Sequence, residues 1–324
     1  MAGLTVAEPV TGRDAPRASR PVRRRRHSLR ASLTGYAFIL PAAVLFAVMG
    51  VYTVGYGLLL SFARWNGFTK NWLWVGFDNY LDILYRDDAL APLVQDAAVN
   101  TALVMVGVPV LSVLVGLPVA LALNRIRFLR ATMRTVFFLP FVTTGIAVFY
   151  AWTYVLAPGG SLNAVLGAFG LGSLQQPQGF LGNPATALPT LIAVTAWSAI
   201  PVAILLYLAA LQSLDPAILD AARVDGASNW RVTTSVVWPL LRPTTAVVVL
   251  LGLRDALQGF QAFLIMTGGG PGGTTNVLGL QAYKWAFFSD LRPTLGLASA
   301  LGWVLFVAAV LLAAVNLRML RSRT

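Results

Sequence analysis

Polar and apolar residues fall along this chain in blocks. Stretches 31–63, 97–124, 135–214 and 294–317 contain no Asp, Glu, Lys or Arg. A helix crosses the hydrocarbon core of a bilayer with about 20 apolar residues, so each stretch is long enough to span. The run 135–214 is long enough for two spans, divided by a Gly-, Pro- and Gln-rich segment around Pro158–Pro184, and Thr244–Met266 supplies another. The pattern predicts an all-α integral membrane protein with six transmembrane helices, near 34–62, 97–123, 135–157, 187–213, 243–266 and 294–317. No internal repeat and no additional soluble domain is visible.

Composition agrees, since 57% of the residues are hydrophobic and 11% charged. The net charge of +12 could suggest nucleic acid, but its placement points elsewhere. Of 24 Lys and Arg, eighteen lie in the tail before residue 31, in loops 125–134 and 215–242, and at the end of the chain. With six alternating helices these all fall on one side, which the positive-inside rule makes cytoplasmic. Both termini are therefore expected inside a bacterial inner membrane. Residues 1–31 read as a basic, disordered tail whose Arg23–Arg26 run fixes orientation and touches anionic lipid. Residues 32–324 read as the transmembrane domain. The tail does not read as a cleavable signal. There are no cysteines and one histidine, His27 in the tail, so no metal site is expected.

The segment between the fourth and fifth spans, 214–242, is the one soluble-looking helical stretch between long apolar runs. It carries Asp220-Ala221-Ala222, then Asp225-Gly226-Ala227, and is closed by Pro239 and Pro243. Small residues allow close approach by another protein, and Gly226 permits a sharp turn between two short helices. The prolines suit the first turn of the next apolar helix.

This spacing resembles the "EAA" loop of ABC importer permeases, with Asp220 in place of the usual Glu. Further elements are similar to that family's carbohydrate branch. They are Val75–Tyr80 after the first span, Arg134–Pro140 opening the third, Gly160–Asn163, Leu264–Pro271, Tyr283–Phe287, and Gly296–Gly302 opening the last. The resemblance covers about 33–318. It implies a type I ABC importer permease fold in which 214–242 is a cytoplasmic coupling helix seated in an ATPase. Asp220, Ala221, Ala222, Asp225, Gly226 and Ala227 would form that contact. It also implies a second homologous permease, two ATPase subunits holding the ATP and Mg, and an external solute-binding protein. The cargo would be a sugar or sugar-like solute moved by alternating access.

Within the fifth span, Arg254 and Asp255 lie about eleven residues from its start, roughly 17 Å deep by helical rise. Ionisable groups at such depth default to a functional role. Gln258, Gln261 and Ile265 follow Arg254 at i+4, i+7 and i+11, one stripe on a continuous helix. The stripe either faces the solute pathway, with Trp197 of the fourth span, or makes an ion pair or amide network to the partner permease. Gly268-Gly269-Gly270 lacks the Lys-Ser/Thr end of a phosphate loop and reads as a flexible outer turn. No catalytic set is present, and the single Glu is Glu8. Other readings are a permease of the same superfamily for a non-sugar solute, or an ion-coupled secondary transporter using Arg254 and Asp255.

Overall fold

The computed structural model describes residues 29–68, 70, 72–125, 145–288 and 295–321. It is almost wholly helical. The elements are α1 (Leu29–Phe46), α2 (Thr53–Ser61), α3 (Asp78–Leu81), α4 (Leu90–Arg125), α5 (Gly145–Val155), α6 (Ser161–Ala168) and α7 (Pro184–Gln212). They continue with α8 (Pro216–Val224), α9 (Asn229–Val232), α10 (Trp238–Leu240), α11 (Arg242–Gln258), α12 (Gln261–Met266), α13 (Leu278–Phe287) and α14 (Leu295–Arg321). A two-residue ribbon pairs β1 (Ala63–Arg64) with β2 (Leu73–Trp74), antiparallel. Wider π turns occupy Ala47–Tyr52, Asp82–Arg86 and Thr233–Val237.

Four described helical runs are long and apolar enough to cross a membrane: Tyr36–Ser61, Leu90–Asn124, Pro184–Gln212 and Leu295–Val315. A fifth is counted if Asn229–Leu240 and Arg242–Gln258, bent by 65°, are one span. Of the expected third span, 135–157, only α5 lies among the described residues. The Arg134–Pro140 element, most of the 125–134 loop, and the basic tail with His27 lie outside them.

Two units divide the chain, 1–54 and 55–324. In the first, α1 and the π turn form one apolar helical run in which side chains such as Phe38 and Met49 are exposed. The second is built on α4 against α7, two long helices that approach closely where small residues meet. A Cβ on Gly116 would lie 2.9 Å from that of Ala203, and one on Gly252 of α11 would lie 2.8 Å from Pro109 Cγ. Around these contacts Val104, Val108, Leu191 and Phe263 form one apolar cluster, and Leu117, Ile204, Tyr207 and Leu241 form another.

At one end of this unit the Val75–Tyr80 element has a structural task. Buried Asn79 donates through Nδ2 to the carbonyls of Ser61 and Ala63 at 2.8 and 2.9 Å, and the Tyr80 hydroxyl reaches Ser61 Oγ at 2.7 Å. Asp82 accepts from Arg64 at 3.1 Å and Arg86 at 2.7 Å. The first N–H groups of α14, Leu295 and Gly296, donate to the Trp65 carbonyl, which satisfies donors a helix start would otherwise leave open. Segment 157–186 is organised by Asn163, whose side chain and backbone bond Pro158, Gln175 and Gln176.

Candidate functional site

The stretch after α7 turns at once into a second helix. Asp215 accepts from Ala217 N at 2.9 Å and caps α8, with Pro216 in its first turn. Helix α8 ends on Gly226, at φ +80°. There Gly226 N donates to the Arg223 carbonyl and Ala227 N to that of Ala222, both at 3.0 Å. This pair of bonds is a Schellman closure, which places glycine in the left-handed region and brings the flanking small residues together. Ser228 then caps α9, and Pro243 stands in the first turn of α11. The expected change of direction at Gly226 is therefore present.

The six residues singled out in this segment divide by face. Ala222 and Ala227 pack with Leu219 against the cluster holding Leu117, Ile204 and Leu241. Asp220, Ala221, Asp225 and Gly226 are exposed, as are Arg223 and Val224. Asp220 bonds Arg223 at 3.0 Å within the helix, and both are more than half exposed, so the pair adds little to stability. Val224 is 88% and Trp230 77% exposed. Two large apolar side chains so open, beside charges, suit a surface that another protein covers.

Arg254 and Asp255 line a cavity of about 210 Å³ with Ser112 of α4 and Ser198, Val202 and Leu206 of α7. Both serine hydroxyls donate to their own helix, Ser112 to Val108 at 2.8 Å and Ser198 to Val194 at 3.2 Å. Their lone pairs stay available to accept from a ligand hydroxyl. No described residue hydrogen-bonds or ion-pairs with the charged groups of Arg254 or Asp255. Arg254 also borders an apolar cleft between α11 and α14, with Leu250, Leu257, Ala309 and Leu312.

The stripe expected from Arg254 through Ile265 is not one helical face. Helix α11 stops at Gln258, Gly259 takes ψ 89°, and α12 restarts at Gln261. A Cβ at Gly259 would collide with the Asp255 carbonyl oxygen. Gln258 and Gln261 are both exposed but stand on either side of this break, so helical spacing does not relate them. Trp197 is absent from the Arg254 cavity lining. It packs edge-on against Trp152 at 5.4 Å.

The glycine-rich turn, expected to be flexible, is tied down. The hydroxyls of Thr267 and Thr275 lie 2.8 Å apart, Thr275 donates to the Gly270 carbonyl, and Asn100 Nδ2 donates to that of Asn276 at 2.9 Å. Beyond it Lys284, which sequence reasoning passed over, borders a pocket of about 400 Å³ with Leu264, Trp285 and Phe288. Burial pulls its ammonium below the ordinary lysine pKa.

Residues 112–321 match the family model described as binding-protein-dependent transport system inner membrane component. The multiple sugar-binding transport system permease protein MsmF of Streptococcus mutans serotype c is 32% identical over 273 residues, covering 84% of this chain and 90% of that protein. The trehalose transport system permease protein SugA of Mycobacterium tuberculosis is 30% identical, covering 88% and 87%. Among solved structures, a bacterial ABC transporter involved in the import of the acidic polysaccharide alginate matches at TM-score 0.73 and 25% identity. That match covers 91% of this chain and 98% of that one.

Proposed function

The chain belongs to the family of binding-protein-dependent transport system inner membrane components, and from that premise we propose that it is the permease subunit of an ATP-driven importer for a sugar or sugar-like solute. It crosses the bacterial inner membrane six times with both termini in the cytoplasm. It pairs with a second permease, is driven by two ATPase subunits that hold ATP and Mg, and receives solute from an external binding protein. Residues 1–31 form the cytoplasmic tail and 32–324 the permease domain.

The observation that carries this reading is the segment 215–241. An exposed short helix hangs directly from α7 and leads through a capped turn into α11. A load applied at Asp220–Gly226 reaches two membrane helices without crossing a slack linker. The sugar assignment rests on relatives named for sugar uptake and on a cavity of serine acceptors beside Arg254. Closing of the ATPases draws α8 inward, α7 and α11 tilt, and the cavity changes the side it opens to.

Purified alone, the chain is expected to hydrolyse no ATP. Reconstituted in proteoliposomes with both ATPase subunits, the second permease and the binding protein, it should accumulate labelled oligosaccharide only when ATP is supplied. Accumulation driven by a proton or sodium gradient without ATP would mean a secondary transporter instead.

Arg254, Asp255, Gln258, Gln261 and Trp197 are proposed to line the solute pathway. Two lost hydrogen bonds, at about 1 kcal/mol each, should raise the apparent KM for the transported sugar roughly thirtyfold in Gln258→Ala/Gln261→Ala. ATPase docking should not change. Unaltered uptake kinetics would remove these two residues from the pathway.

A further inference from the structure

Lys284 sits where a lone cation is poorly provided for. It lies on α13 between the last two spans, half-buried, and no described residue offers it an ion pair or hydrogen bond. Its ammonium rests over Gly269, at φ +89°. A Cβ there would stand 2.8 Å from Lys284 Nζ and 3.2 Å from Asn276 Oδ1. The absent side chain of Gly269 is what makes room for the charge. Asn276 Oδ1 is itself buried without a hydrogen-bond partner.

Lys284 also lines a pocket of about 400 Å³, with Leu264, Trp285 and Phe288. Volumes of about 300–1,000 Å³ are usual for small-molecule sites. Leu264 belongs to α12, the short helix that also carries Gln261, and Tyr283 beside Lys284 stacks on Phe260 at 4.7 Å. Helix α13, which carries Lys284, is thereby packed against the turn that joins α11 to α12. An anion within about 4–6 Å favours the charged form that burial disfavours in a lysine, and the pocket's Trp285 and Phe288 offer apolar area to the rest of a ligand.

We propose that Lys284 is a selectivity residue for the transported solute, recognising an anionic group, carboxylate or phosphate, on a saccharide. This rests on the permease reading above and adds the class of cargo to it.

The test uses the complete complex in lipid nanodiscs and a lysine-acylating reagent, with modification of Lys284 read by mass spectrometry. Trigalacturonate or glucose 6-phosphate, at about ten times its Kd, should slow the labelling roughly tenfold by mass action. Neutral maltotriose and glucose should leave the rate unchanged. In uptake assays Lys284→Gln should weaken the half-maximal concentration of the protecting anion about tenfold, as loss of a charged hydrogen bond implies. Lys284→Arg should retain it.

Equal protection by the neutral sugars, or none by either anion, overturns the proposal. So does protection by the binding protein alone, which would make Lys284 a docking contact. Labelling that follows the anionic lipid content of the nanodisc would assign the charge to a headgroup. Labelling requires no transport, so its failure is separable from failure of the permease reading.

Discussion

A chain carrying Gly226→Asp is expected to insert in the membrane at normal levels and to import nothing above background. Gly226 closes α8 in the left-handed region, where an ordinary side chain costs about 1–2 kcal/mol and Asn and Asp are the best tolerated. A Cβ at this position meets nothing within 4 Å, so the fold itself has room for the new residue. What changes is charge. A second carboxylate joins Asp225 at the end of a helix, where negative charge is already disfavoured, and it projects from the face proposed to seat in the ATPase. Gly226→Asn supplies the same shape without the charge and should keep most of the uptake. The pair is measured by ATP-dependent uptake alongside membrane abundance. Normal uptake by the aspartate variant would show that this turn is not the coupling contact.

The second large effect is expected for stability. Gly296 lies at the start of α14 with no room beside it, because a Cβ would run into the Ala63 carbonyl oxygen and sit 3.0 Å from Asn79 Nδ2. The obstruction is backbone, which cannot swing aside as a side chain can. Gly296→Ala should therefore cost roughly 2–4 kcal/mol, combining overpacking with weakened bonds to Trp65. Gly302 offers the contrast within the same helix, since a Cβ there meets nothing within 4 Å. Gly302→Ala should be neutral or raise stability by up to about 1 kcal/mol, the helix preference of alanine over glycine. Thermal melting of the detergent-solubilised protein separates the two. Equal Tm values would mean that α14 does not seat on the ribbon.

Long-range features of this fold are carried by plain signals in the sequence. Charge-free runs longer than 20 residues have one explanation, and α4, α7 and α14 lie where those runs are. The turn at Gly226 is equally legible, because Asp215-Pro216, Gly226 and Ser228 are local capping residues that act through their own backbones. Exceptions arise where tertiary contacts decide. Gly259 interrupts a run of good helix formers with a single glycine, a signal also compatible with an unbroken helix, so the stripe from Arg254 to Ile265 was drawn too far. The place of Trp197 in its span does not reveal its neighbour, since its ring packs edge-on against Trp152.

The glycine-rich turn shows the reverse error. Three consecutive glycines suggest slack, yet Thr267 and Thr275 flank them, and threonine hydroxyls that bond neighbouring backbone groups are a recognised means of fixing turns. Lys284 was passed over because one lysine on a segment between spans ordinarily points to water. Only the neighbouring Gly269 and buried Asn276, distant by type and unremarkable in sequence, reveal its setting. Likewise the Gly296–Gly302 element suggested helix against helix, while its first glycine meets the β1 backbone.

That meeting point has a bearing on how the polypeptide is made. The opening turn of the final helix finds its hydrogen-bond acceptor at Trp65, in the first quarter of the chain. Contacts so distant along a chain form late and slowly. During synthesis residues 295–296 leave the ribosome long after Ala63–Asn79, so the bonds to Trp65 are among the last that the chain can complete. A product truncated before residue 295 would leave that seat empty, giving cellular quality control a ready mark of an unfinished protein.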